Sequence, residues 1–315
     1  MSNLTLRILT AVVAIPIIVL ICMAGGIYFF GFIAVASAVA LKEFYALASA
    51  KNAKPLVILG IVSGFFVNLS FYHAKLRSFV FDLFEAQGVI IPFPSQAQLL
   101  LITILVVIAV VSLVELFRNN GSPLLNLSTT IMGIFYISLF FGTFIGLREV
   151  FVPLDFPMLR YFPDESSFLD PATAALVYRW GGYTVISILA TIWICDTAAF
   201  HAGTAWGRHK LFPRVSPNKS WEGAIFGFVF AILSAVTAKY LVLEYLTLQD
   251  SIVIGAIVGT FGQLGDLVES LLKRDAGVKD SSNLIPGHGG VFDRFDSLLF
   301  VAPIVYLYLD FIVFT

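Results

Sequence analysis

Charged residues are scarce in this sequence. Asp, Glu, Lys and Arg make up 12% of the 315 residues, whereas a soluble domain has about 25%. Apolar residues make up 59% of the chain, and the mean hydropathy is +0.93. This composition excludes an ordinary soluble domain and predicts an integral membrane protein.

Cysteine and net charge are also low. The two cysteines, Cys22 and Cys195, lie far apart within apolar runs, which argues against a disulfide framework or a cysteine-based metal site. The formal net charge is −1, so the chain lacks the basic surface that nucleic-acid binding requires. We therefore expect no nucleic-acid partner.

Long apolar runs fill most of the chain and predict an all-α, polytopic membrane protein. Each run is near the length of about 20 residues that a bilayer demands of a helix. The first run follows Arg7, as in a secretory signal peptide, but a second run follows at once, so we interpret the two as a helical hairpin whose first helix is retained. Nine membrane helices are predicted, at residues 8–23, 27–41, 55–72, 97–116, 125–147, 183–205, 223–246, 251–272 and 298–315.

Lysine and arginine are distributed unevenly between the two sides of these predicted spans. If residues 273–296 face the cytoplasm, alternation places 13 of the 19 basic residues on that side and five on the other, with Lys239 inside a helix. An excess of this kind marks the cytoplasmic side. We therefore expect a cytoplasmic N-terminus. The connections 73–96 and 148–182 are predicted to be loops at the membrane surface, whereas 206–222 is short and basic.

Residues 265–296 concentrate charge beside apolar helices: they hold ten of the 39 Asp, Glu, Lys and Arg residues. Four polar residues spaced i, i+3, i+4 and i+7 share one helix face: Asp266, Glu269, Ser270 and Lys273. A carboxylate at membrane depth is costly unless it pairs or binds a cation. The stripe is therefore either a structural ion pair, of Asp266 with Lys273 or Arg274, or part of a functional site.

A glycine-rich turn follows this helix. Lys279 precedes Pro286-Gly287-His288-Gly289-Gly290, and Asp293, Arg294 and Asp296 come before the last span. Glycines let backbone N–H groups approach a ligand closely, although loops between helices often contain them. Lysine on one flank and carboxylates on the other match the needs of a nucleoside triphosphate with its magnesium, which are cations for phosphate and hard oxygens for the metal.

A second polar cluster begins with Asp196, which lies inside the sixth predicted span and needs a partner there. Residues 216–223 read Ser-Pro-Asn-Lys-Ser-Trp-Glu-Gly, in which Ser220 is placed to cap the helix that follows. A helix N-terminus with Ser216 and Lys219 beside it predicts an anion site. Cytoplasmic basic residues with an ordinary helix cap remain the alternative.

These motifs resemble the signature of the phosphatidate cytidylyltransferases, the CDP-diacylglycerol synthases. The resemblance runs without a gap over 270–296, through Lys273-Arg274, Lys279-Asp280-Ser281, Pro286-Gly287-His288-Gly289-Gly290 and Asp293-Arg294-Phe295-Asp296. Residues 216–223 are similar to the family's Ser-Pro-Lys-Lys-Thr/Ser-x-Glu-Gly segment, with Asn218 where a lysine is common. Residues 41–45, Leu-Lys-Glu-Phe-Tyr, resemble a run in its second helix. Before residue 180 the agreement is mainly in hydropathy.

The resemblance implies a reaction of CTP with phosphatidate that gives CDP-diacylglycerol and diphosphate and requires Mg²⁺, with K⁺ as a second cation. It implies Asp266 and Asp293 as metal ligands, with Asp296 and Asp196 as further candidates. Lys273 and Lys279 are expected to neutralise the phosphates in the reaction.

The candidates that are expected to bind substrate are Ser216, Lys219, Ser220, Ser270, Arg294, His288 and Asp196. The segment with Ser216, Lys219 and Ser220 would hold either the lipid phosphate or the triphosphate. Arg294 would bind phosphate or orient Asp293, and His288 would make a hydrogen bond within its loop.

The chain is thus predicted to be one membrane unit, in which 1–180 form N-terminal helices and loops and 181–315 form a catalytic region. A polar cavity facing the cytoplasm is expected among the last four spans. The resemblance also implies a bacterial-type inner membrane and a homodimer. Two alternatives stay open: a transferase that uses CTP with an isoprenoid phosphate, and an ion-coupled transporter in which Asp196, Asp266 and Glu269 form the pathway.

Overall fold

The computed structural model describes residues 3–85, 92–152, 156–162, 170–285, 287 and 289–315. Their helices are α1 (Asn3–Ala24), α2 (Gly26–Ser49), α3 (Val57–Phe71), α4 (His73–Glu85), α5 (Gln96–Leu116), α6 (Pro123–Gly133), α7 (Leu139–Glu149), α8 (Met158–Tyr161), α9 (Pro171–Trp206), α10 (Trp221–Leu241), α11 (Leu248–Ile257), α12 (Gln263–Asp275) and α13 (Phe292–Tyr308). Short π-helical turns join α6 to α7, join α11 to α12 and extend α13. The two strands are β1 (Lys210–Phe212) and β2 (Ser216–Ser220).

Seven helices among the described residues are long and apolar enough to cross a membrane. They confirm the all-α, polytopic class. Val57–Phe71 and His73–Phe84 meet at 85° and make an eighth span if the bent pair is counted as one, whereas the described apolar part of α1, Ala11–Ala24, is shorter. The total of nine spans therefore stays a prediction.

Helix α9 extends far beyond the predicted span 183–205. Its 36 residues reach about 54 Å at 1.5 Å per residue, which exceeds a hydrocarbon core of about 30 Å. Asp170 caps its first turn by accepting hydrogen bonds from the N–H groups of Ala172 and Thr173. The pKa of Asp170 is below its ordinary value, mainly because the Ala172 N–H stabilises the carboxylate and to a smaller extent because the Thr173 hydroxyl does.

The described residues of the segment 148–182, which are 148–152, 156–162 and 170–182, do not form the surface loop that its composition predicts. Arg148 and Phe151 are fully buried, and the last part of the segment belongs to α9. Nε of Arg148 donates to the carbonyl of Cys22 at 3.0 Å, and the Tyr178 hydroxyl donates to the carbonyl of Ala24 at 2.7 Å. The terminal carbonyls of a helix have no partner within it, so these side chains attach the end of α1 to α7 and α9.

The segment 73–96 also departs from a simple loop. Its first part forms the helix α4, on which Phe79 is exposed. Residues 86–91 lie outside the described part of the chain.

An aromatic cluster fixes the beginning of α13. Phe292, the first residue of this helix, is fully buried, and its ring packs edge to face on Phe44 of α2 at 6.4 Å and on Tyr136 at 6.0 Å between centroids. Aromatic pairs with this geometry stabilise a core beyond their buried area. The cluster therefore holds the charged end of α13 against α2.

The basic connection after α9 forms a small antiparallel hairpin, in which Lys210 pairs with Ser220 and Phe212 with Ser216. Ser220 then caps α10, because its Oγ accepts a hydrogen bond from the N–H of Gly223 at 3.2 Å. The predicted cap is thus confirmed. The hairpin brings Lys219 towards α12.

Candidate active site

A cavity of about 1490 Å³ lies mainly among α1, α2, α9, α12, α13 and the hairpin. Its wall is apolar along α1 and α2, whereas carboxylates and basic groups line the side formed by α12, α13 and the hairpin. The structure thus adds the first two helices to the four spans predicted to form it. The predicted site residues in its wall are Asp196, Lys219, Ser220, Asp266, Asp293, Arg294 and Asp296.

Three carboxylates from two helices converge in this region. One oxygen each of Asp266 and Glu269 in α12 and of Asp296 in α13 lie within 4.8 Å of one another. Glu269 is buried, and its Oε1 has no hydrogen-bond partner among the described residues. Such an orphaned acceptor is costly in a protein interior, so the cluster is suited to a cation.

Gly265 permits this convergence. A Cβ atom built on Gly265 would lie 2.5 Å from the carbonyl oxygen of Asp296. Any side chain at Gly265 would push α12 away from α13. The spacing of the three carboxylates therefore depends on a close approach between two helix backbones.

Lys273 connects the cluster to Asp293. Its Nζ is 2.7 Å from Oε2 of Glu269 and 2.8 Å from Oδ1 of Asp293. The Asp293 carboxylate also accepts hydrogen bonds from the N–H groups of Ser281 and Gly290. Asp293 is thus held by the loop and by the same lysine that contacts Glu269 of the cluster.

Asp266 is paired with the hairpin. Nζ of Lys219 lies 2.6 Å from its Oδ2, and the Ser270 hydroxyl donates to its Oδ1 at 3.2 Å. The pairing of Asp266 with Lys273 or Arg274, expected from a purely structural stripe, is replaced by this contact. The polar stripe therefore contacts both the hairpin and α13.

Negative charge exceeds positive charge in and beside this wall. Lys219 and Lys273 pair with three carboxylates, whereas Asp196 and Asp296 form no ion pair with another described residue. Arg294 is exposed in the cavity. The excess of carboxylates suits the binding of cations. A polyanion can bind beside them when metal cations accompany it.

Four described candidate residues are not among those that line the cavity: Ser216, Ser270, Lys273 and Lys279. Ser216 begins β2 and is half-buried, and Lys279 is exposed on the loop after α12. Neither belongs to the part of the cavity wall that described residues form. His288 lies outside the described residues, so its expected hydrogen bond stays a prediction.

Sequence reasoning missed the position of Glu43 in α2. This residue is 6% exposed, and its carboxylate accepts hydrogen bonds from the loop that precedes α13. An acidic residue within an apolar helix is the signal that was available, and Glu43 belongs to the run 41–45. Helical spacing predicts Glu269 in the polar stripe, whereas its convergence with Asp296 depends on how α12 packs against α13.

Apolar spans around a cavity with carboxylate and lysine walls define an integral membrane protein with a polar site suited to phosphate chemistry. The model of the cytidylyltransferase family matches residues 5–312. A protein of Synechocystis named phosphatidate cytidylyltransferase is 31% identical over 310 residues, or 96% of either chain. A protein of the same name from Bacillus subtilis is 32% identical over 309 residues, or 98% of either chain.

A more local similarity covers the motifs. A phosphatidate cytidylyltransferase of Staphylococcus haemolyticus is 42% identical over 125 residues, which are 40% of this chain and 48% of that protein. The chain belongs to the cytidylyltransferase family and is a nucleotidyltransferase. This membership favours an enzyme over the transporter alternative.

Proposed function

We propose that this enzyme transfers the cytidylyl group of CTP to the phosphate of phosphatidate, which gives CDP-diacylglycerol and diphosphate for phospholipid synthesis. The names of the Synechocystis and Bacillus relatives support this substrate pair. The observation that carries the proposal is a cavity in which a charged wall adjoins an apolar wall. Such a cavity matches a substrate with a phosphate head and acyl chains.

The two walls suggest how the lipid is oriented. Apolar residues of α1 and α2 line one side, among them Ile18 and Phe32, and Asp266 and Arg294 line the other. Acyl chains lie against the apolar side because burial there removes them from water. The phosphate then lies beside the carboxylates and the lysines.

The reaction is an in-line displacement at the α-phosphorus of CTP. An oxygen of the lipid phosphate forms the new bond, and the bond to the bridging oxygen of the β-phosphate breaks, so diphosphate leaves with the electron pair. The attacking oxygen is already anionic, so no serine or cysteine nucleophile is needed. The protein supplies position and positive charge.

Lysines and hydroxyls supply these functions in the proposed site. Lys273 neutralises the reacting phosphates from its place between two carboxylates, and Lys279 approaches them from the exposed loop. Lys219 and Arg294 bind phosphate oxygens at the cavity wall. Ser216, Ser220, Ser270, Asp196 and His288 complete the predicted substrate contacts.

Magnesium fits the acidic cluster. Asp266, Glu269 and Asp296 offer hard oxygens close together, and Glu269 Oε1 has no partner among the described residues. Mg²⁺ takes such oxygens as ligands and, when bound, neutralises charge on phosphates. Asp293 stays a predicted ligand, but to bind a metal its Oδ1 must give up the contact with Lys273. The potassium ion stays an implication of the family resemblance.

The direct test uses purified protein in detergent with labelled CTP, Mg²⁺ and phosphatidate. We expect labelled CDP-diacylglycerol and one diphosphate per product. A parallel reaction with an isoprenoid phosphate tests the alternative substrate. Product from the isoprenoid phosphate, with none from phosphatidate, would refute the proposed lipid.

The proposed location is a bacterial-type inner membrane, with the site and the N-terminus facing the cytoplasm, where CTP is available. Asn218 lies exposed on the hairpin, and the native Cys22 and Cys195 are buried. Asn218→Cys should therefore react with an impermeant maleimide in inverted membrane vesicles and not in intact cells. The opposite pattern would reverse the orientation. Cross-linking in membranes tests the predicted homodimer.

A further inference from the structure

We infer that Glu43 of α2 is a positioning residue of the active site, which holds both described ends of the loop before α13, at 281–282 and at 291, together with the first turn of α13, in their working arrangement. The inference rests on the proposed function, because the arrangement matters for the transfer reaction. Glu43 itself is not among the cavity-lining residues that the structure describes. It acts through the residues that it contacts.

Four hydrogen bonds converge on the Glu43 carboxylate. Oε1 accepts from the Ser282 hydroxyl at 2.6 Å and from the N–H of Val291 at 3.1 Å. Oε2 accepts from the Ser281 hydroxyl at 3.0 Å and from the N–H of Phe292 at 2.7 Å. One side chain of the second helix therefore contacts both ends of the glycine-rich loop.

Two of these donors belong to the beginning of α13. The first N–H groups of a helix lack partners within it, and the N-cap residue Val291 makes no side-chain cap. Glu43 supplies that cap from another helix, and its negative charge is favourable at the positive end of α13. At 6% exposure, a carboxylate without these donors would be costly to bury.

The contacts of Glu43 are coupled to those of Asp293. The Ser281 hydroxyl lies 3.0 Å from Oε2 of Glu43 and 3.0 Å from Oδ2 of Asp293. Gly290 donates its N–H to Asp293 at 2.7 Å, and a Cβ atom on Gly290 would lie 2.5 Å from Oε2 of Glu43. The Ser281 hydroxyl is thus within reach of both carboxylates, and Gly290 is bound by Asp293 and lies close to Glu43. Displacement of Glu43 therefore changes the surroundings of both residues that Asp293 binds.

This arrangement extends the site beyond the predicted catalytic region 181–315. The loop and α13 carry Asp293 and Asp296, and α2 fixes their position from the N-terminal half. A substitution of Glu43 keeps all the charged residues that bind substrate, but it alters their alignment. A loss of alignment lowers turnover more than it lowers affinity.

The test compares Glu43→Gln with Glu43→Asp. Glutamine replaces one acceptor oxygen by an NH₂ donor that faces other donors, so we expect kcat to fall by about tenfold to a hundredfold, with the KM for CTP within about threefold of the original. Aspartate keeps both acceptor oxygens on a shorter side chain. We expect it to restore part of kcat.

Glu115→Gln is the matched control. Glu115 is 3% exposed in α5 and accepts from Asn126 and Arg118, away from the cavity. This variant also loses buried acceptor capacity, so it reports the effect of stability alone. We expect its kcat to stay within about twofold of the original because alignment at the site is unchanged.

Hydrogen exchange gives a second measurement that needs no substrate. In Glu43→Gln the amides of Val291 and Phe292 should exchange faster, without a similar increase in other helices. Unchanged kcat and exchange, or an equal loss of kcat in Glu115→Gln, would overturn the inference. If the original protein forms no CDP-diacylglycerol, the proposed function fails, whereas faster exchange still shows that Glu43 holds the loop.

Discussion

Replacement of Lys273 by methionine removes the cation between two buried carboxylates. Its Nζ lies 2.7 Å from Glu269 and 2.8 Å from Asp293, and the three side chains are 12%, 1% and 3% exposed. Methionine keeps much of the apolar stem and removes the charge. The variant therefore tests the charge rather than the packing.

The expected loss in the free energy of unfolding follows from the burial of these ion pairs. Removal of one partner from a buried ion pair costs about 3–5 kcal/mol, because the other charge is left without compensation. We expect the free energy of unfolding to fall by about that amount in Lys273→Met. Lys51 provides the control, since its pair with Asp275 is 51% and 64% exposed. Lys51→Met should cost at most about 1 kcal/mol.

The assay combines denaturant unfolding in detergent with turnover of CTP. A double variant, Lys273→Met with Glu269→Gln, separates the two roles of the lysine. It removes one uncompensated charge, so it should recover part of the stability, and the double-mutant cycle should give a coupling of about 0.5–3 kcal/mol. Turnover should stay low because both the proposed phosphate-neutralising cation and one carboxylate of the proposed metal cluster are absent.

Two results would refute this reasoning. If Lys273→Met is no less stable than Lys51→Met, the pairs of Lys273 are not buried ion pairs. If the double variant recovers turnover together with stability, Lys273 has no part in the reaction beyond folding. Either result would also weaken the phosphate role assigned to this residue.

Four further substitutions test other parts of the structure. Asp266→Asn and Asp293→Asn should each lower turnover by at least about a hundredfold, as the loss of an electrostatic stabiliser does, and near-original rates at saturating Mg²⁺ would remove that residue from the proposed metal shell. Gly290→Ala places a methyl group against two side chains and should cost about 1–3 kcal/mol of stability, measured by unfolding in detergent; unchanged stability would show that the loop relaxes freely. Arg148→Met leaves helix-end carbonyls of α1 without donors and should make α1 more accessible to protease, whereas unchanged cleavage would mean that packing alone holds it.

The local features of the site follow from sequence because they depend on residues close together in the chain. The stripe from Asp266 to Lys273 is fixed by helical spacing, and the Ser220 cap by the residue type that precedes an apolar helix. Membrane spans follow from length and hydropathy. These predictions need no knowledge of how the helices pack.

The relations between distant elements are different. The convergence of Glu269 with Asp296 depends on the register of α12 against α13. Gly265 permits this close packing, but a glycine in the sequence does not predict it. Glu43 is more than 230 residues from its hydroxyl partners. The segment at 148 has the composition of a loop, yet Arg148 is buried, with its Nε and Nη2 donating to carbonyls at the end of α1. Contacts between residues so far apart in the sequence can be identified only from the folded structure.

The contact of Lys219 with Asp266 joins a hairpin outside the membrane spans to a carboxylate within one. A phosphate that binds Lys219, or a cation that binds Asp266, competes with the ion pair between these two residues. Occupancy and hairpin docking are therefore thermodynamically linked, and each affects the other by the same free energy. The hairpin is consequently a reporter of the site: a fluorophore on its exposed edge would register ligand binding from the aqueous side of the membrane.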